Sequence, residues 1–194
     1  MPTPEQKARK QIEDMLSAAG WTIQDKETLN LTTADGIAVR KFPLKKGTAN
    51  YLPFVDHRAV GAMEAKKLGE RLSVVANQTE KYLTGLPPHL RRVTEPLPSG
   101  YESTSVETNF RDLRDADSRS RRVFSFHHRE TIRDWLRRQN SLRHRLRYLP
   151  PLNTDGLRDF QIEAIVGMEK SLVEARPRVQ SRMRNRPNFC QRNA

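Results

Sequence analysis

The sequence predicts an α/β fold in which a mixed sheet is flanked by helices. Three observations lead to this prediction: an amphipathic helix opens the chain, consecutive extended segments follow it, and further helical segments alternate with short strands. Two of the extended segments are apolar on both faces, so they need a covering layer on each side. The 194 residues fit one domain, or one domain and a fragment of a second.

The first helix has clear signals at both ends. Thr3 is a plausible N-cap, Pro4 takes the first helical position, and Gln6 completes a capping-box pattern. Gly20 ends the helix, and a polar loop is expected at 24–35. Apolar residues recur at helical spacing along one side, namely Ala8, Ile12, Met15, Leu16 and Ala19.

Extended segments are predicted at 36–44, 49–55 and 59–66. The short link between the last two predicts a hairpin with His57 at the centre of its turn. In that register the numbers of opposite residues sum to 114, so that residue 54 faces residue 60. One face then carries Asn50, Leu52, Phe54, Val60, Ala62, Glu64 and Lys66.

The remaining elements follow from apolar periodicity and from Gly and Pro positions. Helices are predicted at 70–83, 129–138, 141–149 and 157–176. Short strands are predicted near 100–110 and 122–127. From residue 177 onwards no apolar period is present, which predicts a disordered tail.

The net charge of +12 is concentrated in two blocks. Residues 111–147 carry twelve arginines against five acidic residues, and residues 176–194 carry six arginines and no acid. Such an excess favours a polyanionic partner, most simply nucleic acid. The arginines of the predicted helix at 129–138 could follow a DNA backbone, or they could form a solvated helix face.

Composition also bears on the compartment. The sequence has no run of ~18 apolar residues, so no membrane-spanning helix is expected, and its opening segment does not resemble a secretory signal. The single cysteine, Cys190, excludes a disulfide framework and a Cys-rich zinc site. We therefore expect a cytoplasmic protein.

His127 and His128 lack further ligands at metal-binding spacing. We expect their rings to be hydrogen-bonded within the protein or exposed to solvent, and not to bind a metal.

One group of residues could carry chemistry. In a strand, Glu64 and Lys66 project from the same face, and residue 50 would lie opposite Glu64 with Cβ atoms ~4.5–5.5 Å apart. Phosphodiester cleavage uses this arrangement: hard oxygen ligands hold Mg²⁺, and a nearby lysine positions the attacking water. An aspartate at position 50 would complete the site, but the sequence has Asn50.

The following helix adds Gln78 and Tyr82, which lie on one helical face because they are four residues apart. A purely structural alternative stays open at this point. In that alternative, Glu64 and Lys66 form an ordinary charge pair at a strand end, and Tyr82 is a core aromatic.

Longer segments carry a family resemblance. The segment FPLKKGTANYLPFVDHRAVGAMEAKK, followed by NQTEKYLTGLP, resembles the N-terminal nuclease domain of type I restriction enzyme R (restriction) subunits. That domain is a PD-(D/E)xK nuclease with a trailing QxxxY motif. The resemblance covers about residues 3–178, continuing through YESTSVETNF, SRSRRVFSFHHRETIRDWL and LPPLNTDGLRDFQIEAIVGMEKSLVEARPR.

The resemblance implies a restriction-endonuclease-like sheet and a role for each matching residue. Glu64 and the Ala65 carbonyl would be metal ligands, with Asn50 at the position of the family's aspartate. Lys66 would be the catalytic lysine, and Gln78 and Tyr82 would support the active site and contact DNA. Gln161 would match the glutamine that recognises adenine in a superfamily-2 motor domain.

The resemblance also implies domains and partners. A nuclease-like domain is expected at 1–148, a linker and the first helix of a motor domain at 149–176, and a basic tail at 177–194. The implied reaction is Mg²⁺-dependent, ATP-coupled cleavage of double-stranded DNA, in complex with methylation and specificity subunits. Since no Gly-rich phosphate loop follows, we expect a truncated product that does not use ATP.

Three departures from the family pattern bear on activity. Asn50 lacks the charge that favours Mg²⁺, Pro53 removes a ladder hydrogen bond from a strand that should be central, and His57 occupies a tight turn that favours glycine. The sequence therefore predicts a catalytically impaired restriction endonuclease domain. The alternatives are a DNA-binding or subunit-docking module without catalysis, or a gene remnant without function.

Overall fold

The structure is a computed structural model that describes residues 4–116, 118–174 and 176. Its contacts divide the chain into two units, Met1–Ser141 and Leu142–Ala194, which are described separately below.

The first unit contains a mixed sheet, three α-helices and a 3₁₀ turn at Lys26–Thr28 among its described residues. The helices are α1 (Pro4–Ala18), α2 (Leu72–Leu83) and α3 (Arg129–Leu136). The strands are β1 (Thr22–Asp25), β2 (Gly36–Leu44), β3 (Gly47–Val55), β4 (Arg58–Ala59), β5 (Gly61–Ala65), β6 (Ser99–Ser103), β7 (Thr108–Asp112) and β8 (Arg121–Val123). The α/β prediction is confirmed.

The order of strands across the sheet is β1-β2-β3-β5-β6-β7-β8, and β4 pairs with β3. The pairs β1–β2 and β5–β6 are parallel, whereas the other pairs are antiparallel. The parallel pairing of β5 with β6 is made by a crossover that contains α2. This crossover brings two segments that are distant in sequence to the same part of the sheet.

Two strands differ from the sequence prediction. β1 was not predicted, and its last two residues, Gln24 and Asp25, lie where the polar loop at 24–35 was expected to begin. It is an edge strand with exposed and half-buried side chains, so it has no apolar alternation. The segment near 100–110 forms two strands instead of one, because the chain reverses around Ser105, which has a positive φ of 75°.

The hairpin turn also differs. The chain turns at Asp56 and His57, whose φ angles of 48° and 62° both lie in the left-handed region. Two such residues are typical of a type I′ turn, which favours Asn-Gly because L residues with a Cβ are strained there. Val55 consequently pairs with Arg58. The prediction that His57 alone forms the turn centre is wrong.

A β-bulge at Val60 restores the predicted register farther from the turn. The Val60 amide donates a hydrogen bond to the Pro53 carbonyl at 2.9 Å, and beyond it Tyr51 pairs with Met63. Residue 50 therefore lies opposite residue 64, as predicted. Because of the extra residue, Val60 packs on the opposite face of the sheet from that predicted.

The bulge also explains the proline in a central strand. The nitrogen and carbonyl of one residue point to the same side of a strand, so the Pro53 nitrogen faces Val60 at the bulge. At a bulge the ladder is interrupted, and a missing N–H donor costs little there.

The sheet buries a core on each face. The α2 face contains Leu52, Phe54, Ala62 and Leu97 packed with Tyr82 and Leu83 of α2. The α1 face contains Tyr51, Val60, Met63 and Tyr101 packed with Ile12 and Leu16 of α1 and Ile132 of α3. Helices thus cover both faces of the central strands, in agreement with the apolar pattern of the hairpin.

A charged cluster fixes α1 on the sheet. Glu13 accepts two hydrogen bonds from Arg40 of β2, at 2.7 and 2.8 Å, and one from the Tyr51 hydroxyl at 3.0 Å. The hydrogen bonds from Arg40 are the main reason why the pKa of Glu13 lies below its ordinary value.

The second unit contains α4 (Leu142–Arg145), a 3₁₀ turn at Leu146–Tyr148 and α5 (Asp159–Val173). The helix predicted at 141–149 is therefore shorter and ends in the 3₁₀ turn. Phe160 and Met168 of α5 are exposed. The tail predicted at 177–194, which includes Cys190, lies outside the described residues.

Candidate active site

The predicted site residues of the first unit meet next to α2, where β3 begins and β5 ends. Glu64 lies in β5 and is only 3% exposed. The Nζ atom of Lys66 is 3.7 Å from Oε2 of Glu64. Both side chains thus point to the same face, as their spacing in the strand requires.

Asn50 has a different role from that of a free ligand. Its side-chain oxygen accepts a hydrogen bond from the Ala65 amide at 3.0 Å. The next amide, of Lys66, donates to the Ser103 carbonyl at 2.8 Å. Asn50 and Ser103 therefore fix the backbone that carries Lys66 from both neighbouring strands.

A chain of hydrogen bonds extends from Lys66 to α2. The Lys66 ammonium donates to Oε1 of Gln78 at 3.3 Å, and Nε2 of Gln78 donates to the Tyr82 hydroxyl at 2.8 Å. Tyr82 is 4% exposed and is also part of the core on the α2 face. It is therefore a core aromatic and the end of the hydrogen-bond chain at the same time.

Glu64 is electrostatically unusual. Burial raises the pKa of Glu64 to about 7, although the charge and hydrogen bond of Lys66 act in the opposite direction. Its Oε1 atom is buried and has no hydrogen-bond partner among the described residues. A buried carboxylate oxygen without a partner is costly, so it is a position where a cation or a proton is favoured.

A second buried carboxyl group, which the sequence reasoning missed, lies beside Glu64. Glu102 of β6 pairs in register with Glu64 of β5 and is 0% exposed. Its Oε2 atom accepts a hydrogen bond from the Ser120 hydroxyl at 2.9 Å, whereas its Oε1 atom is buried without a partner among the described residues. Burial raises the pKa of Glu102, and hydrogen bonds from Ser120 and Thr79 oppose this effect.

The sequence did contain a signal for Glu102. It is the only charged residue within 99–104, just as Glu64 is the only charged residue within 59–65. A single acid inside an otherwise uncharged strand indicates either a buried partner or a site. What the sequence does not show is that the two strands are neighbours.

A cavity of about 260 Å³ opens next to these residues. It is lined by Ala8, Arg9, Ile12, Asn50, Ala65, Lys66, Lys67 and Glu70. Lys66 both lines this cavity and contacts Glu64, so the cavity and the buried carboxylate share this lysine. The lining carries three basic side chains against one acidic side chain, Glu70, so its net positive charge favours an anionic ligand such as a phosphate.

Other candidate residues serve structural purposes. Gln161 belongs to the second unit, where its Oε1 atom accepts a hydrogen bond from the Arg158 amide at 2.9 Å at the start of α5. His127 is half-buried: its Nδ1 lies 2.7 Å from the Tyr101 hydroxyl, and burial lowers its pKa. Its ring packs between Phe110 and Trp135.

The arginines of α3 and the residues just after it are largely engaged in ion pairs. Arg129 pairs with Glu130, and Nη2 of Arg133 lies 3.2 Å from Asp35 and 2.9 Å from Asp56. Arg133 therefore links α3 to the hairpin turn, which gives this arginine a structural explanation. Arg133 therefore gives no support to the prediction that the arginines of this helix follow a DNA backbone.

No family model, curated protein or solved structure matches the chain. Within residues 4–116, 118–174 and 176, no helix is both long enough and apolar enough to cross a membrane. The same part of the chain contains no group of three or more His, Cys, Asp or Glu side chains arranged to hold a metal ion.

Proposed function

We propose that the first unit is a Mg²⁺-dependent DNA endonuclease domain of the kind found in type I restriction R subunits. The observation that carries this proposal is the continuous set of contacts from Glu64 through Lys66 and Gln78 to Tyr82. The family resemblance assigns these same four residues to the active site. Their contacts support a common role.

The residues present fit the implied metal only in part. Glu64 offers a buried oxygen without a partner, which suits a hard cation. Asn50 is neutral, and its oxygen already accepts the Ala65 amide. Bound Mg²⁺ would polarise a phosphate oxygen and acidify a water molecule.

Each protein residue then has a distinct task. Glu64 would hold the cation, and the Lys66 ammonium would hold the attacking water and stabilise negative charge on the phosphate. Gln78 orients Lys66, and Tyr82 orients Gln78 from the core. The cavity beside Lys66, which Arg9 and Lys67 also line, receives the DNA backbone because its cations replace the counterions of the phosphates.

The wider proposal follows the family. The protein would act in the cytoplasm with methylation and specificity subunits, and ATP would be used by the motor domain of the family, to which residues 149–176 are similar. Asn50 makes this copy slow, since one ligand charge is absent where positive charge has to be concentrated.

The test is nicking of supercoiled plasmid DNA by the purified chain with Mg²⁺ or Mn²⁺. We expect slow nicking that Glu64→Ala and Lys66→Met abolish, while Lys81→Met, which removes an exposed lysine from α2, leaves it unchanged. Nicking that persists in Glu64→Ala would contradict the proposal, because it would not arise from this site.

Position 50 provides a second prediction. Aspartate would still accept the Ala65 amide with one oxygen, and its charge would lie opposite Glu64. We expect Asn50→Asp to increase the nicking rate at least about tenfold, which corresponds to roughly 1.4 kcal/mol of activation free energy. Single-turnover kinetics at fixed Mg²⁺ measure this change, and an unchanged rate would remove position 50 from the site.

The second candidate function is a DNA-binding or subunit-docking module without catalysis. The use of the Asn50 amide as a backbone acceptor favours this candidate, because it is a structural role that needs no metal. It predicts that both the native chain and Asn50→Asp bind DNA without metal-dependent nicking.

A further inference from the structure

We propose that Glu64 and Glu102 together form a divalent-cation site between β5 and β6, in which Glu102 supplies the second carboxylate that Asn50 lacks. The site would take a small hard cation such as Mg²⁺ or Mn²⁺. This inference deepens the proposed nuclease function and rests on it.

The two carboxylates are neighbours by pairing. Glu64 and Glu102 are directly paired across the parallel strands β5 and β6, and neighbouring strands lie about 4.8 Å apart. Both residues point to the α2 face. Ala62, two residues before Glu64, packs in the core of that face, and a Cβ on Gly100, two residues before Glu102, would lie 3.3 Å from Thr79 of α2.

Two described cations, Lys66 and Arg111, act on the pair. Lys66 lies 3.7 Å from Glu64. Arg111 attracts Glu102 electrostatically, but its Nη1 atom pairs with Glu80 at 2.9 Å. Each carboxyl group keeps one buried oxygen, Oε1, without a partner among the described residues. One cation between the strands would supply a partner to both oxygens.

The coordination chemistry suits magnesium. Mg²⁺ is usually held by one or two carboxylates and completes its shell with water and other oxygens. The Ser120 hydroxyl already contacts Glu102. The Lys66 ammonium contacts Oε2 of Glu64, which leaves Oε1 for the cation.

This arrangement gives the site two carboxylates without one from position 50, where an aspartate would add a third negative charge. The side-chain oxygen of Asn50 accepts the Ala65 amide and is not needed as a ligand. The anionic ligand missing from β3 is thus present on β6, on the other side of β5.

The experiment measures Mn²⁺ binding to the full chain by electron paramagnetic resonance and by calorimetry, without DNA. We expect Glu64→Gln and Glu102→Gln each to weaken binding at least tenfold. Glu27→Gln, which removes an exposed carboxylate from the 3₁₀ turn at 26–28, should leave the affinity within threefold.

The outcomes separate this inference from the proposed function. If Glu64→Gln loses Mn²⁺ but Glu102→Gln retains it, the role of Glu102 is wrong and the nuclease proposal remains. If neither the native chain nor Asn50→Asp binds Mn²⁺, both proposals are wrong. Circular dichroism checks the fold of each variant. If Glu102→Gln does not fold, Glu102→Asp replaces it, with an expected weakening of at least threefold; unchanged affinity would overturn the inference.

Discussion

Glu13 connects α1 to the sheet through Arg40 and Tyr51. We expect Glu13→Gln to reduce the free energy of unfolding at pH 7 by about 2 kcal/mol, since hydrogen bonds to a charged group are lost. The folded pKa of Glu13 lies below its ordinary value of 4.5. Its stabilisation is therefore present above that value and is lost as the pH falls through the lower folded pKa.

Urea unfolding of both proteins near neutral pH and in acid measures this effect. The difference between them should shrink in acid, whereas Glu27→Gln, at an exposed carboxylate, should have little effect at either pH. A difference that does not change with pH would show that the charge of Glu13 is not what stabilises the contact.

Gly61 illustrates a residue that has no room for a side chain. A Cβ at this position would lie 2.1 Å from the backbone oxygen of Ser99 on the neighbouring strand. We expect Gly61→Ala to destabilise the protein by about 3 kcal/mol, because β5 and β6 would have to separate. Thermal unfolding measures the loss. Gly167→Ala is the matched control: it lies in α5 with nothing within 4 Å, and should be neutral or slightly stabilising.

At the scale of the secondary-structure element, the hairpin turn is strained at His57, whose φ is 62°. Glycine adopts this conformation without a steric cost, and a type I′ turn favours it at the second position. We expect His57→Gly to raise the free energy of unfolding by about 0.5–1 kcal/mol, and His57→Val to lower it. Chemical denaturation of the three proteins tests the order, and a stabilising valine would exclude strain at this turn.

The same hairpin shows which features the sequence can predict. Its strands follow from their apolar, β-branched and aromatic residues, and the long amphipathic helix α1 follows from its apolar stripe and end signals. The bulge at Val60 does not follow, because a strand that is apolar on both faces has no polar alternation to reveal a shift of one residue. The edge strand β1 was missed because its side chains are exposed and half-buried.

The candidate site was predictable to a similar degree. Local spacing predicts one pair at the end of a strand, Glu64 and Lys66, and one pair on the following helix, Gln78 and Tyr82. The structure brings the two pairs together. Glu102 reaches the site only through parallel pairing with a distant strand. Local periodicity contains no information about which strands become neighbours, so this residue was found only in the structure.

At the scale of the whole molecule, both core clusters lie within Met1–Ser141. We expect a fragment of residues 1–141 to unfold cooperatively, with a thermal midpoint within a few degrees of that of the first unit in the full chain. Calorimetry of the two proteins provides the comparison. A fragment that is expanded and lacks a cooperative transition would show that the second unit contributes to the stability of the first.

The crossover between β5 and β6 has a consequence for the order of assembly during folding. The antiparallel pairing of β2, β3 and β5 closes short loops, whereas β6 can join β5 only after the chain between them, which contains α2, has been closed. Long loops close more slowly than short ones, and their contacts form later. A folding intermediate can therefore contain the hairpin with Glu64 in place while Glu102 is still distant. The two carboxylates meet only when the sheet is complete, so their electrostatic repulsion opposes a late step of folding and does not oppose formation of the hairpin.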